Sequence, residues 1–292
     1  MNLRDLEVFR AVVTEGGITK AAARLGRVQS SVTARVQQLE QALGTDLFIR
    51  DGKRLKVAPA GKVLLGYADR LLSLADEAKL ALSDSRPRGP FRLGAMESTA
   101  AVRLPGPLTT YYRRHPEVDL KLRTGNPRQL ASALLEGDIE AALVAEPVAE
   151  NRFDWTPAFK ERLVLVAPAT HATINETSPA PDTVIVFEHG CPHRRQLDAW
   201  YARRNDLPRQ TIELGSYHAM FGSVVAGMGV ALMPESVLSA FPEREKVSTH
   251  PLPDDLETLR TLLIWPRGVS SSKIDALIAI LHREDDQTQD GA

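Results

Sequence analysis

Four short hydrogen-bonding side chains, Gln29, Ser30, Ser31 and Thr33, stand together at the start of an apolar repeat made by Val32, Val36, Leu39 and Leu43. That spacing predicts a helix over about residues 29–43, with the apolar stripe on one side and Ser30, Ala34, Gln37 and Gln41 on the other. Side chains of this kind at a helix N-terminus can hydrogen-bond base edges in a DNA major groove, and the helix dipole favours a phosphate at the same end. An ordinary surface helix would show the same polar face, so this segment alone leaves both readings open.

The residues that follow add a second chemistry. Residues 44–57 read as two short strands joined by a turn at Asp51-Gly52, a favoured hairpin pair, and Arg50, Lys53, Arg54 and Lys56 surround its tip. A basic hairpin directly after a candidate recognition helix suits contact with phosphates or the minor groove, which is the role of a wing.

A third set is His189, Cys191 and His193, which an extended chain would turn to one side as potential metal ligands. A turn at Pro192 would scatter them and no fourth ligand is evident, so no metal or cofactor is assigned; metal or redox sensing stays as a minor alternative. Catalytic signatures are lacking: there is no G-x-S-x-G, P-loop or H-E-x-x-H, and Gly227-Met228-Gly229 lacks the third glycine of a dinucleotide fingerprint. The chain is read as a non-enzyme.

The elements that must position these groups can be drawn from periodicity. Leu3, Leu6, Phe9 and Val13 predict an amphipathic helix over residues 3–14, closed by Gly16-Gly17. A second short helix starts near Thr19, read as its N-cap, buries Ala21, Ala22 and Leu25, and stops at Gly26. With the helix at 29–43 and the hairpin, this is a winged helix-turn-helix.

At this point the sequence resembles the LysR-type transcriptional regulator family. The matching residues are Leu6-Glu7-Val8-Phe9, Thr19-Lys20-Ala21-Ala22-Ala23-Arg24-Leu25, Gln29-Ser30-Ser31-Val32-Thr33, Leu39-Glu40, Leu43-Gly44, Leu47-Phe48, Arg50 and Ala60-Gly61. The stretch Arg27 to Thr33 resembles the branch that reads R-V-Q-S-x-V-T. Val28 stands where most of the family has a capping serine, and Ala34 where many members have an arginine. The resemblance therefore leaves Thr19, Gln29, Ser30, Ser31, Thr33, Arg35, Arg50, Lys53 and Arg54 as candidate DNA contacts.

Beyond residue 60, Leu64, Ala68, Leu71, Ala75, Ala78 and Leu82 form a seam of about three heptads, predicting a long helix that pairs with a second copy or packs as a core helix. Residues 85–90, with Pro87, Gly89 and Pro90, read as a hinge. A dimer would hold two recognition helices about one DNA turn apart over an interrupted palindrome.

The remainder alternates strands and helices, predicting parallel sheets. Strands are expected at 91–95, 118–124, 141–145, 163–167, 184–188, 230–233 and 259–265, with helices over 101–114, 128–136 and 271–282. This half resembles the two-lobed, periplasmic-binding-protein-like α/β effector domain of the family. The domain expectation is residues 1–58 for the DNA reader, 59–89 for the linker helix and hinge, and 90–292 for the effector domain, with lobe I at about 90–162 and 267–292 and lobe II at about 163–266. Ligands of such sheets sit at the carboxyl ends of strands. That rule gives Ser98 and Thr99, beside Glu97, then Gly125, Asn126, Glu146, Cys191, His193, Tyr217 and His218, whose donors suit a small anion or a polar metabolite.

Composition agrees with this division. The 292 residues are 43% hydrophobic and 25% charged, which is globular and sufficient for two or three domains. Residues 1–88 carry 15 basic and 10 acidic side chains, net +5, whereas the rest is net −6. Acidic residues among the first seven and the lack of any apolar run near 18 residues argue for a cytoplasmic chain with no membrane partner. The single Cys191 excludes an intrachain disulfide. The implied partners are promoter double-stranded DNA, a small-molecule effector of unknown identity, and further copies in a homodimer or homotetramer, with RNA polymerase as one more that the family allows. A binding protein without a DNA role is the competing class.

Overall fold

The computed structural model describes residues 1–51, 54–83, 86–149, 151–171, 173–175 and 178–289. Two compact units divide the chain, Met1–Ser85 and Arg86–Ala292.

The first unit contains α1 (Leu3–Thr14), α2 (Ile18–Arg24), α3 (Gln29–Leu43), strands β1 (Phe48–Asp51) and β2 (Arg54–Val57), and α4 (Pro59–Ser83). Asn2 caps α1 through a reciprocal pair with Asp5. Helix α2 starts two residues earlier than its sequence suggests: Gly17 is the N-cap and Thr19 lies inside the first turn, so its hydroxyl is not the cap. Gly44 ends α3 in the left-handed region at φ +66, where a side chain would be strained. The core joins Leu6, Phe9, Leu39 and Leu47 to Ala68 and Leu72 of α4, and a second cluster gathers Val8, Val12, Ala21, Val32 and Val36.

Helix α4 corrects the predicted seam. Ala68 is fully buried and Leu64 half-buried against α1, because the first half of α4 closes the core of its own unit. The large apolar residues left exposed among the described side chains of α4 are Val63, Tyr67, Leu71 and Leu74, a stripe that keeps Leu71 of the predicted one and otherwise lies beside it. The side chain of Leu82 lies outside the described residues, as do Gly52 and Lys53 of the hairpin turn and Ser85 of the predicted hinge.

In the second unit β3 (Gly89–Ala95), β4 (Val118–Thr124) and β5 (Ala141–Ala145) are parallel, with α5 (Pro105–Arg114) and α6 (Pro127–Glu136) between them. The 16-residue strand β6 (Phe153–Pro168) then runs through both lobes. After it come β7 (Thr183–Val186), α7 (Pro192–Arg203), β8 (Gln210–Glu213), α8 (Tyr217–Val225), β9 (Val230–Pro234), α9 (Glu235–Ser239), β10 (Val247–His250), α10 (Asp254–Glu257), β11 (Thr258–Pro266) and α11 (Ser272–Gln289).

Sheet order is β4-β3-β5-β11-β6-β9-β7-β8, with β10 also on β6. Strand β6 changes partner where the lobes meet: Phe153 to Arg162 pair with β11, and Leu163 to Val166 with β9. The sheets are mixed, since β11 runs antiparallel to both β5 and β6 and β9 runs antiparallel to β6. This corrects the expectation of parallel sheets. It also corrects one lobe boundary, because Thr261 to Ile264 pair with Ala145 to Ala142. Strand β11 thus belongs to lobe I, and lobe II ends before residue 258 instead of at 266.

Candidate functional site

Of the predicted DNA-contact residues whose side chains are described, Thr19, Gln29, Ser30 and Ser31 are exposed, whereas Thr33 and Arg35 are half-buried. Gln29, Ser30 and Ser31 occupy the first turn of α3 and are exposed, and Thr19 is exposed on α2. The N-cap residue Val28 offers no side-chain bond, so the first turn of α3 begins without a capping side chain. Thr33 is half-buried and its hydroxyl donates to the Gln29 carbonyl at 3.0 Å, which turns it along the helix. Arg35 is held to the Asp5 carboxylate at 2.8 Å, so its guanidinium ties α3 to α1.

Arg50 and Arg54 lie on β1 and β2, opposite Leu55 and Asp51 respectively. The hairpin is fixed to α3 by Glu40, whose Oε1 accepts from the backbone N–H groups of Leu47 at 2.9 Å and Phe48 at 3.1 Å. Charge-assisted bonds to two amides set the hairpin's position relative to the exposed end of α3. Several residues that carried the family resemblance, Leu39, Glu40, Leu47 and Gly61, are therefore framework and not contact surface.

The second unit holds a cleft of about 440 Å³ between its lobes. Ser98, Gly125, Asn126, Cys191, His193 and Tyr217 line it, as does Glu97 beside Ser98, together with Gln129, Phe187, Glu188 and Glu213, which were not among the predicted ligand residues. Three predicted residues are not among its lining. Thr99 is buried in the π-helical turn Thr99–Arg103; Glu146 gives its carboxylate to Arg260 and its carbonyl to Arg195; and His218, one position past Tyr217 on α8, packs edge-on to Phe241 at 4.9 Å. His189 is drawn off to Arg194, so of the three candidate metal ligands only Cys191 and His193 stay together.

Across the cleft, Asn126 of lobe I donates to Glu188 Oε1 of lobe II at 2.8 Å. Within lobe II the Tyr217 hydroxyl lies 2.7 Å from His193 Nδ1, with Cys191 Sγ 3.7 Å from the same nitrogen. With the hydroxyl donating, the imidazole is neutral and carries its proton on Nε2. Burial raises the thiol of Cys191 and the phenol of Tyr217 and pushes His193 down to about 4.

This burial makes stability pH-dependent. The unfolded chain takes up a proton at His193 near pH 6.5 and the folded chain does not until about pH 4, so stability falls as pH drops through that window and is unaffected above pH 7. Between pH 7 and pH 5 the loss is expected to be roughly 2 kcal/mol larger in the parent protein than in His193→Gln, on the scale of 1.36 kcal/mol per pH unit. Urea unfolding at the two pH values measures it, and identical losses in both proteins would remove His193 as the cause.

Comparison with known proteins accounts for both units. Residues 3–62 match the family described as bacterial regulatory helix-turn-helix protein, lysR family, and residues 84–286 match the LysR substrate binding domain. The uncharacterized HTH-type transcriptional regulator YusT of Bacillus subtilis is 38% identical over 265 residues, covering 90% of this chain and 89% of YusT. The HTH-type transcriptional regulator GltR of the same organism is 35% identical over 266 residues, 90% of each chain. In fold the chain is similar to an OxyR C206 mutant of Corynebacterium glutamicum, with TM-score 0.68, 21% identity, and coverage of 98% and 93%. It is also similar to full-length CbnR complexed with its target DNA, with TM-score 0.66, 20% identity, and coverage of 97% and 99%. No helix among the described residues is long and apolar enough to cross a membrane.

Proposed function

The chain belongs to the LysR family of bacterial helix-turn-helix regulators, and from that premise we propose that it reads promoter DNA with the first turn of α3 and the β1–β2 hairpin. It is a DNA-binding transcriptional regulator with an effector-binding domain, and not an enzyme. The observation that carries the reading is the α3 N-terminus: no side chain caps it, Gln29, Ser30 and Ser31 are exposed there, and Glu40 fixes the hairpin beside it. Gln29 and Ser30 read base edges, Thr19 and Ser31 position the helix on phosphates, and Arg50, Lys53 and Arg54 hold the backbone. Thr33 and Arg35 support α3 through their bonds to Gln29 and Asp5. The run Arg27 to Thr33 supports membership of the R-V-Q-S-x-V-T branch.

For function the chain divides into residues 1–58, 59–89 and 90–292. Two copies pair through α4, whose exposed Val63, Tyr67, Leu71 and Leu74 need cover, giving a homodimer or homotetramer on an interrupted palindrome. The protein acts in the cytoplasm, where promoter DNA and RNA polymerase are at hand. A small-molecule effector enters the interlobe cleft, shifts the two lobes and so changes how the paired heads sit on DNA.

Two substitutions separate base reading from backbone contact. Gln29→Ala is expected to lower discrimination between target and mismatched duplexes by about 1–3 kcal/mol. Arg54→Ala is expected to weaken all duplexes alike and reduce the salt slope by about 1. Fluorescence anisotropy at several salt concentrations measures both; a Gln29→Ala protein with undiminished discrimination would remove that residue from base reading.

A further inference from the structure

We infer that the effector carries a protonated nitrogen, and that Glu97 of lobe I and Glu188 of lobe II receive it; this rests on the reading of the interlobe cleft as the effector site. The lining includes Glu97, Glu188 and Glu213 but no lysine or arginine among the described residues. Glu213 is matched by Arg194, whose Nη1 lies 3.0 Å from its carboxylate and also donates to the Phe187 carbonyl. Among the described residues the Glu188 carboxylate has one side-chain donor, the Asn126 amide at 2.8 Å, and neither it nor Glu97 forms an ion pair. The Oε2 atom of Glu97 is buried and has no hydrogen-bond partner.

A buried carboxylate oxygen without a partner costs free energy that a donor delivered by a ligand recovers. Burial holds the carboxyl of Glu97 above its usual range, and the nearby imidazole of His218 offsets this only in part. An anionic effector would meet two carboxylates that are not ion-paired among the described residues, with no lysine or arginine in the lining to receive it. A metal ion fits poorly, since no group of three His, Cys, Asp or Glu side chains among the described residues could hold one. An organic cation satisfies the observations: its ammonium bridges Glu97 and Glu188, one from each lobe, and its apolar part lies against Phe187 and Tyr217, whose rings sit 4.8 Å apart. Such a bridge replaces the Asn126 donor on Glu188 and thereby changes what ties the two lobes together.

The test uses the full chain and probes matched in skeleton but not in charge: 2-phenylethylamine and 1,4-diaminobutane against 3-phenylpropionate, succinate and the neutral 3-phenylpropanamide. Thermal midpoints, followed by titration calorimetry, should show stabilisation by at least one amine and none by the carboxylates. In Glu97→Gln and Glu188→Gln the affinity of that amine should fall by about tenfold or more. The ligand-free midpoint of Glu97→Gln should equal or exceed that of the parent, since its Oε2 has no bond to lose. Stabilisation by a carboxylate in place of the amines, or amine binding that both variants retain, would overturn the inference while leaving the effector cleft standing. A metabolite library of all charge classes that leaves the midpoint unmoved would overturn both.

Discussion

Replacing Gly61 with alanine is expected to abolish DNA binding at concentrations where the parent is saturated, and to cost the first unit about 3 kcal/mol, the combined scale of core overpacking and one lost backbone bond. Gly61 sits in the first turn of α4 against the strand that enters the hairpin. A methyl group there would lie 2.3 Å from the Leu47 carbonyl oxygen and 2.8 Å from Val57 Cγ1. The obstruction is backbone and cannot swing aside. The same Leu47 oxygen accepts the Ala58 N–H at 2.9 Å, and Leu47 is part of the core shared by α1, α3 and α4. Relieving the clash moves α4 away from that core and moves the hairpin that Glu40 had placed. Gly66, one turn further on, supplies the control: a methyl group there meets nothing within 4 Å. Gly66→Ala should therefore be neutral or stabilising by up to about 1 kcal/mol through helix propensity. Anisotropy on duplex DNA and the unfolding transition of the first unit distinguish the two. Equal behaviour of Gly61→Ala and Gly66→Ala would show that close approach of α4 to the hairpin does not matter.

The second large effect is placed at Glu161. Its side chain is 8% exposed and accepts Arg103 Nε at 2.6 Å, Arg103 Nη2 at 3.1 Å and the Ser236 hydroxyl at 2.7 Å. Glu161 lies on β6 just before that strand changes lobes, Arg103 ends the turn after β3, and Ser236 is on α9 of lobe II. One carboxylate thus joins the strand shared by both lobes to an element on either side. Glu161→Ala takes from the half-buried Arg103 guanidinium two charge-assisted bonds and from Ser236 its acceptor, which costs about 2–3 kcal/mol and lowers the midpoint of the second unit by roughly 5–10 °C. Because Glu161 itself is buried and expensive to desolvate, the double substitution Glu161→Leu with Arg103→Met should recover much of that loss. A single variant within about 1 kcal/mol of the parent, the scale of an exposed pair, would place the bond among surface contacts.

What could be read in advance follows from how locally each feature is determined. Helices α1 and α3 coincide with their predicted spans, since each has an apolar stripe at helical spacing and an end marked by a cap or by Gly44. Strand β6 was legible only from Leu163 onward, where every residue to Ala167 is buried. Its first half, Phe153 to Arg162, mixes buried and charged positions because it serves one sheet while α11 and solvent lie on its other side, and its partner β11 is a hundred residues away. The misplacement of β11 in lobe II has the same origin, as pairing over that distance leaves no trace in spacing.

The cleft was partly legible for a physical reason, namely that side chains at the carboxyl ends of strands converge there. Ser98, Gly125, Asn126 and Tyr217 were found by that rule. Glu188 and Glu213 obey it too, but β7 was read as continuing through residue 188 and the exposed four-residue strand β8 was not recognised. His218 and Thr99 follow true lining residues by one position, and a helical turn of about 100° per residue carries each out of the cleft. Arg35 could not be reassigned from sequence, because nothing local marks Asp5, thirty residues earlier, as its partner.

Selecting duplexes from a random pool with the whole chain tests DNA reading by α3 and the hairpin most directly. Enrichment of one two-fold-symmetric motif is expected, with half-sites centred about 10 base pairs or a multiple of that apart. The enrichment, though not salt-sensitive binding to bulk DNA, should weaken in Gln29→Ala by the factor that about 1–3 kcal/mol implies. A pool that remains unenriched, with every duplex bound equally, would contradict that reading.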